Sequence, residues 1–204
     1  MPAGLFDDMT PECEQLLPGA GSAMLCSRAL TPDVAENVHA ELLNVVPWEQ
    51  HHLQLFGRTI AQPRLVAWFG DSSGTYTYSG LTLPPHPWPS AMAPLRVICE
   101  QLAGTSFDSA LANLYRDGRD SMAWHADDEP ELGPDPVIAS LSLGAERRFD
   151  LRNKHTGETV KRLLPAGSVV VMSGGCQHNW LHQVPKMLRV TSPRVNITFR
   201  KLLS

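Results

Sequence analysis

Residues 194-RVNITFR-200 alternate strictly between polar and apolar side chains. Side chains two positions apart in a β-strand share one face, so Arg194, Asn196, Thr198 and Arg200 are expected on the same side of a strand. The segment therefore predicts a strand whose polar face meets something polar. That partner is either a bound ligand or, if this is an amphipathic edge strand, solvent.

Short β-branched runs with turn residues between them accompany this strand from about Ser109 onward. Many short strands in succession are typical of a β-sandwich or barrel. Amphipathic patterns predict helices from Pro32 to about Val46 and over residues 90–103. We therefore predict a mainly β fold with flanking helices, whose other strands include 110-ALANLYR-116, 137-VIASLSLG-144, 147-RRFDLR-152, 159-TVKRLL-164, 167-GSVVVM-172 and 188-LRV-190.

A second segment, 121-SMAWHADDEPELG-133, places His125 two residues before Asp127. The two side chains share a face if the segment is extended. Together with a distal histidine, His182 or its neighbour His178, they would form the two-histidine, one-carboxylate face that holds Fe(II) and leaves coordination positions open. The alternative is structural, with His125 capping a loop and the distal histidine buried and hydrogen-bonded.

Arg194 and Arg200 fit a second ligand, a dicarboxylate. A guanidinium offers a planar, two-pronged fork to a carboxylate and remains charged at any physiological pH.

Taken together, these motifs resemble the AlkB-type Fe(II)/2-oxoglutarate-dependent dioxygenases, which remove alkyl groups from nucleobases. The resemblance runs from roughly Leu53 to the C-terminus. Its LFG and TYTYSG segments are similar to the branch of the family that repairs duplex DNA. The ordered motifs are 54-QLFG-57, 75-TYTYSGLTL-83, 113-NLYRDG-118, 125-HADDE-129, 180-WLHQVP-185 and 193-PRVNITFRK-201.

The resemblance implies a double-stranded β-helix, or jelly-roll, core and an oxidative dealkylation that uses Fe(II), 2-oxoglutarate and O2. It places the distal iron ligand after Trp-Leu, which selects His182 over His178. The residues that it assigns to 2-oxoglutarate are Asn113, Tyr115, Arg194, Asn196, Thr198 and Arg200.

The same resemblance suggests residues that contact an extruded base. Tyr76 and Tyr78 would form a stacking wall, and Phe56 would fill the gap left in the duplex. Asp128 and Glu129 would accept hydrogen bonds from an exocyclic amino group. The alternatives are ordinary β packing for the aromatic residues and solvated loop charges for the two acids.

Charge is unevenly distributed along the chain, whose net charge is −4. Residues 1–139 carry 6 Lys/Arg and 18 Asp/Glu, whereas residues 140–204 carry 11 and 3. This polarity is expected if one part of the surface meets phosphate, although a merely solvated surface shows it too. The candidate phosphate contacts, or solubilising charges, surround 153-NKHTG-157 and are Arg147, Arg148, Arg152, Lys154, Lys161 and Arg162.

The length favours an acidic N-terminal tail over residues 1–25 followed by a single dioxygenase domain over 26–204. The four cysteines are scattered, so we expect reduced thiols, and we also expect a cytoplasmic monomer without a membrane span. Alkylated DNA is the expected partner. The same chemistry on RNA or protein, or a non-enzymatic jelly-roll binding module, is the alternative.

Overall fold

The computed structural model describes residues 11–55, 58–71, 76–78, 81–83 and 85–203, with the backbone alone at 53–55, 58, 76–78 and 81–83. The helices are α1 (Pro32–Val45), α2 (Met92–Ala103) and the short α3 (Cys176–Asn179). The strands are β1 (Cys13–Gln15), β2 (Ser22–Cys26), β3 (His52–Leu55), β4 (Arg58–Ala61), β5 (Leu65–Gly70), β6 (Tyr76–Tyr78), β7 (Leu81–Leu83), β8 (Ser109–Tyr115), β9 (Met122–His125), β10 (Ile138–Gly144), β11 (Arg147–Asn153), β12 (Thr159–Leu164), β13 (Ser168–Ser173), β14 (Trp180–Val184) and β15 (Arg194–Arg200).

The larger sheet has seven antiparallel strands in the order β1-β2-β13-β10-β15-β8-β5. Strand β15, the alternating segment of the sequence, lies between β10 and β8, and all seven of its residues are buried. It is therefore not an exposed edge strand. Its polar face is enclosed within the protein.

The smaller sheet has four antiparallel strands in the order β12-β11-β14-β9. Apolar side chains of the two sheets meet in one core cluster, in which Leu151 and Trp180 of the smaller sheet accompany Trp68 and Leu111 of the larger. Burying both inner faces removes the apolar surface of the sheets from water. The mainly β fold with a jelly-roll core is confirmed.

Helices α1 and α2 pack against the larger sheet in a second apolar cluster. Ala35 and Leu42, two turns apart on α1, are completely buried, and Met92 and Leu95, about one turn apart on α2, are buried as well. Helix α1 begins with Pro32 at its first position, where the missing N–H of proline is not needed. Helix α2 ends at Gly104 in the left-handed conformation, at φ 66°. Both predicted helices are confirmed.

One predicted strand is wrong, because residues 188–190 form a turn. The Val190 amide donates to the Met187 carbonyl, and both residues hydrogen-bond to Gly118. A Cβ at Gly118 would overlap the Met187 carbonyl group, so glycine allows this close approach.

The N-terminal segment also differs from expectation. Strands β1 and β2 form a hairpin at the edge of the larger sheet, and the boundary predicted at residue 25 falls inside β2. Cys13 and Cys26 are register partners, with Cα atoms 4.1 Å apart, and form a disulfide. The expectation of reduced thiols is therefore wrong for this pair, because sequence spacing did not reveal that the two cysteines lie opposite each other. Cys99 and Cys176 are free and buried.

Two small hairpins, β3–β4 and β6–β7, complete the described fold. Phe56 lies outside the described residues. Tyr76 and Tyr78 lie on β6 and are two positions apart, as the sequence suggests. Their roles stay predictions.

Candidate active site

Two histidines and one carboxylate meet between neighbouring strands of the smaller sheet. His125 ends β9, Asp127 follows it, and His182 on β14 is the register partner of His125. One ligand atom from each of these residues lies within 4.8 Å of the others, and the imidazole centroids are 4.1 Å apart. The sequence spacing thus produces a group that could hold one metal ion.

The competing residue His178 is exposed on α3 and does not belong to this group. His182, by contrast, is buried and packs against Phe149, with the centroids of the two rings 5.5 Å apart.

The protonation states of the group suit a metal. Burial and the neighbouring His125 lower the pKa of His182 to about 3, and burial also lowers the pKa of His125. Burial alone would raise the pKa of Asp127, but Arg200 and the two histidines outweigh it and hold that pKa at about 2. Both imidazoles are therefore neutral and the carboxylate is ionised at neutral pH, which are the forms that bind a cation.

Asp127 also leaves one oxygen available. Its Oδ2 accepts a 2.9 Å ion-pair contact from Arg200, whereas the buried Oδ1 has no hydrogen-bond partner among the described residues. A buried carboxylate oxygen without a partner is costly unless a cation or donor satisfies it. This donor set, two nitrogens and one oxygen, therefore fits Fe(II).

The polar face of β15 lines the same pocket as the three candidate ligands. Asn196 donates from Nδ2 to the Ser140 hydroxyl at 2.8 Å, and Thr198 donates to Asn196 at 3.3 Å. Asn113 and Tyr115, on the neighbouring strand β8, also line the pocket. The structure thus brings together all six residues that the sequence assigned to the co-substrate.

Arg194 is a candidate carboxylate-binding group in this pocket. Its Nη2 donates to Ser142 at 2.8 Å, but its buried Nε and Nη1 have no partner among the described residues. The guanidinium lies 5.2 Å from the Tyr115 ring centroid, and Arg147 lies 5.4 Å from the same centroid. Burial lowers the pKa of Arg194 to about 10, so it still carries its charge at neutral pH. Each open donor can bind a carboxylate oxygen, and each forms a two-pronged fork with Nη2.

Three buried residues of the site were missed from the sequence. Arg64 lines the pocket and donates from Nε to Asn113 at 2.7 Å. Gln177 accepts a hydrogen bond from the Asp127 amide. Ser142 holds Arg194. Each acts across 49 to 52 positions of sequence, and no local pattern marks such a contact.

The acidic pair after the metal ligand is less buried than Asp127. Asp128 is exposed and its carboxylate lies 3.8 Å from the Lys154 ammonium, while Glu129 is half-buried. Their contact with a base stays a prediction.

One of the six candidate phosphate contacts is wrong. Arg147 is buried and donates to the carbonyls of Asp117, Asp120 and Pro185, so it ties loops together inside the protein. Arg152 remains near the surface and covers the Trp124 ring at 4.5 Å, and Lys161 is exposed.

The fold and this site define a class of protein. The chain belongs to the 2OG-Fe(II) oxygenase superfamily, whose family model matches residues 22–200. This family uses Fe(II), 2-oxoglutarate and O2, as the resemblance implied.

Within that class, the chain is 41% identical over 192 residues to alpha-ketoglutarate-dependent dioxygenase alkB homolog 3 of Bos taurus. It is 42% identical over 159 residues to DNA oxidative demethylase ALKBH2 of Mus musculus. The alignments cover 89% and 74% of this chain. The resemblance to AlkB-type dioxygenases is confirmed, although the matched region spans only 66% of the length of each relative.

A solved structure of OsALKBH1 shares the fold, with a TM-score of 0.65 at 17% identity. The match covers 93% of this chain and 100% of that one. In the described part of the chain, no helix has the length and apolar character needed to cross a membrane.

The metal-free protein is expected to lose stability as the pH falls below about 6.5. An unfolded His182 takes up a proton near its ordinary value of 6.5, whereas the folded residue resists protonation until about 3. The unfolded state therefore binds more protons across this range, so the free energy of unfolding decreases as the pH falls. Urea unfolding at several pH values measures the slope. His182→Leu should flatten it, and an unchanged slope would assign the titration to another group.

Proposed function

We propose that this chain is an Fe(II)/2-oxoglutarate-dependent dioxygenase that removes alkyl groups from N-alkylated bases in DNA. The observation that carries the proposal is one pocket lined by both the metal-binding group and Arg194, a buried arginine with two open donors. A metal and a carboxylate ligand therefore have places in the same pocket. The co-substrate of this family contains two carboxylates.

Each group in the pocket has a distinct task. His125, Asp127 and His182 would hold Fe(II), and Arg194 would bind a carboxylate of 2-oxoglutarate through one of its open donors together with Nη2. When bound, the metal and co-substrate supply the chemistry that hydroxylates the N-alkyl carbon, with succinate and carbon dioxide as side products. The hydroxylated product then releases the alkyl group as an aldehyde.

Arg200 would have a role beside the predicted one, in which it binds the co-substrate together with Arg194. Its guanidinium is bonded to Asp127, so it orients a candidate metal ligand and keeps that carboxylate ionised. Arg200 also lines the pocket, and its contact with the co-substrate stays a prediction.

Substrate binding would depend on the residues that the sequence suggested. Asp128 and Glu129 would accept hydrogen bonds from a base, and Tyr76 and Tyr78 would stack on it. Lys161 and Arg152 would contact phosphate, which positions nucleic acid without reading its sequence. The relative ALKBH2 is named a DNA oxidative demethylase, which supports DNA as the substrate. We also propose a cytoplasmic, monomeric enzyme.

A panel of oligonucleotides tests the function directly. Methylated and etheno-modified bases would be placed in matched DNA and RNA strands, single and double, and product mass would be followed together with succinate. Release of succinate coupled to loss of the alkyl group from DNA is expected. Turnover confined to RNA would overturn the DNA assignment, and succinate without base repair would point to another substrate.

Phe56→Ala is expected to reduce activity on double-stranded DNA at least tenfold more than on the same lesion in a single strand. Extrusion of a base from a duplex costs a few kcal/mol, and a wedge side chain offsets this cost by filling the vacated stack. Rates on matched single- and double-stranded substrates measure the difference.

Tyr78→Ala is the comparison for Phe56→Ala, because a stacking wall serves an extruded base in either strand state. It should slow both reactions. If Phe56→Ala loses equal activity on the two substrates, Phe56 has a packing role and does not act as a wedge.

A further inference from the structure

Gln177 makes a buried hydrogen bond to the backbone of a candidate metal ligand. The Asp127 amide donates to Gln177 Oε1 at 2.9 Å. Gln177 is 2% exposed, and its Nε2 faces the sulfur of Met172 at 3.4 Å. The glutamine therefore has no freedom to exchange this bond for one with solvent.

The segment that carries Gln177 is itself fixed from several sides. The Lys154 ammonium donates to the Gln177 carbonyl at 2.9 Å. Asn179 donates from its side chain to the Gly175 carbonyl at 2.9 Å, and its own carbonyl accepts the Lys154 amide at 2.8 Å. Helix α3 is thus clamped between the β11–β12 turn and the loop after β9.

The hydrogen bond between Gln177 and Asp127 lies just beyond the end of strand β9. Strand β9 ends at His125, so the sheet register fixes that ligand but not Asp127 two residues later. Arg200 holds the carboxylate of Asp127 from one side. Among the described contacts, Gln177 is the side chain that accepts a hydrogen bond from the main chain of Asp127.

We propose that Gln177 is a positioning residue for the metal centre, an inference that rests on the metal site of the proposed function. By accepting a hydrogen bond from the Asp127 amide, Gln177 fixes the main chain of Asp127 and so orients its Oδ1 toward the metal position. Hydrogen-bond partners of metal ligands typically govern affinity by about 10- to 100-fold. Lys154 supports this role by fixing the Gln177 main chain.

The test is metal affinity in Gln177→Met, which keeps the length and approximate volume of glutamine but removes the strong acceptor. Co(II) would be titrated into metal-free protein, with its visible absorption and dissociation constant recorded. We expect affinity to weaken by at least about tenfold, with a changed absorption band. Gln177→Glu, which retains an acceptor oxygen, should recover most of the affinity.

The matched control is Gln183→Met. Gln183 lies next to His182 on β14, but its side chain donates to Asp150 at 2.9 Å on the other face of the strand. This variant loses a glutamine hydrogen bond beside a ligand without touching Asp127, so its Co(II) affinity and spectrum should match the parent protein. Urea unfolding without metal gives the stability cost of each variant.

The outcomes separate the two proposals. If the parent protein fails to bind Co(II) stoichiometrically, the proposed metal site is wrong. If the parent binds and Gln177→Met binds equally tightly, with the same spectrum, only the positioning role is overturned. Should Gln177→Met fail to fold, Gln177→Asn, one methylene too short to reach the amide, replaces it, and parent-like affinity in that variant overturns the inference.

Discussion

His182→Ala is expected to abolish tight metal binding and to lower turnover by more than about 100-fold, a larger effect than loss of a ligand's hydrogen-bond partner. His182 is a buried, neutral imidazole within 4.8 Å of the two other candidate ligand atoms, and alanine offers no donor in its place. Stoichiometric titration with Mn(II) and product formation on a methylated oligonucleotide measure the two effects. Circular dichroism checks that the fold persists.

His178→Ala is the control, since His178 is exposed and lies only four residues away. Its metal binding and turnover should remain close to those of the parent. His125→Ala and Asp127→Ala should behave like His182→Ala, because a centre with open positions depends on all three ligands. Loss of metal in His178→Ala with retention in His182→Ala would reverse the ligand assignment.

Arg194→Lys is expected to raise the KM for 2-oxoglutarate at least about tenfold, because an ammonium cannot reproduce a two-pronged contact with a carboxylate. Arg194 is the side chain whose Nε and Nη1 are open and buried. Metal affinity in the absence of co-substrate should change little. Initial rates against 2-oxoglutarate concentration, together with a metal titration, separate the two quantities.

Arg200→Lys provides the contrast. Because Arg200 is bonded to Asp127, this variant should weaken metal binding and also raise the KM for 2-oxoglutarate. Arg148→Lys, at a partly exposed arginine paired with Asp150, should change neither. Unchanged co-substrate dependence in Arg194→Lys would show that another group binds the carboxylate.

The sequence predicted the parts of the site that follow short spacing rules. Strict alternation placed the polar side chains of β15 on one face, and the two-residue spacing brought His125 and Asp127 together. Alternation alone could not tell a buried strand from an edge strand. That distinction depends on the neighbours β10 and β8, which the local pattern does not contain.

The parts that the sequence did not predict depend on long-range contacts. Arg147 belongs to a basic run, yet it is buried. Its guanidinium donates hydrogen bonds to three main-chain carbonyls, which take the place of hydrogen bonds to water. In the sequence nothing distinguishes Gln177 from other polar residues of a turn, because its contact with Asp127 forms only in the folded chain. To predict the disulfide, one would have to know the antiparallel register of β1 and β2, in which Cys13 lies opposite Cys26. The spacing of the cysteines does not reveal this register.

The N-terminal hairpin covers a strand edge that would otherwise favour aggregation. Strand β13 carries the run Val169–Val171, and on one side its main chain is paired only with β2. Without that cover, a row of unsatisfied N–H and C=O groups beside valines would be a template for sheet growth between molecules. Strand β1, which is the last strand of this sheet among the described residues, is three residues long and carries Glu14 at its centre. A short, charged border of this kind discourages stacking of further chains, and the Cys13–Cys26 bond keeps it in place.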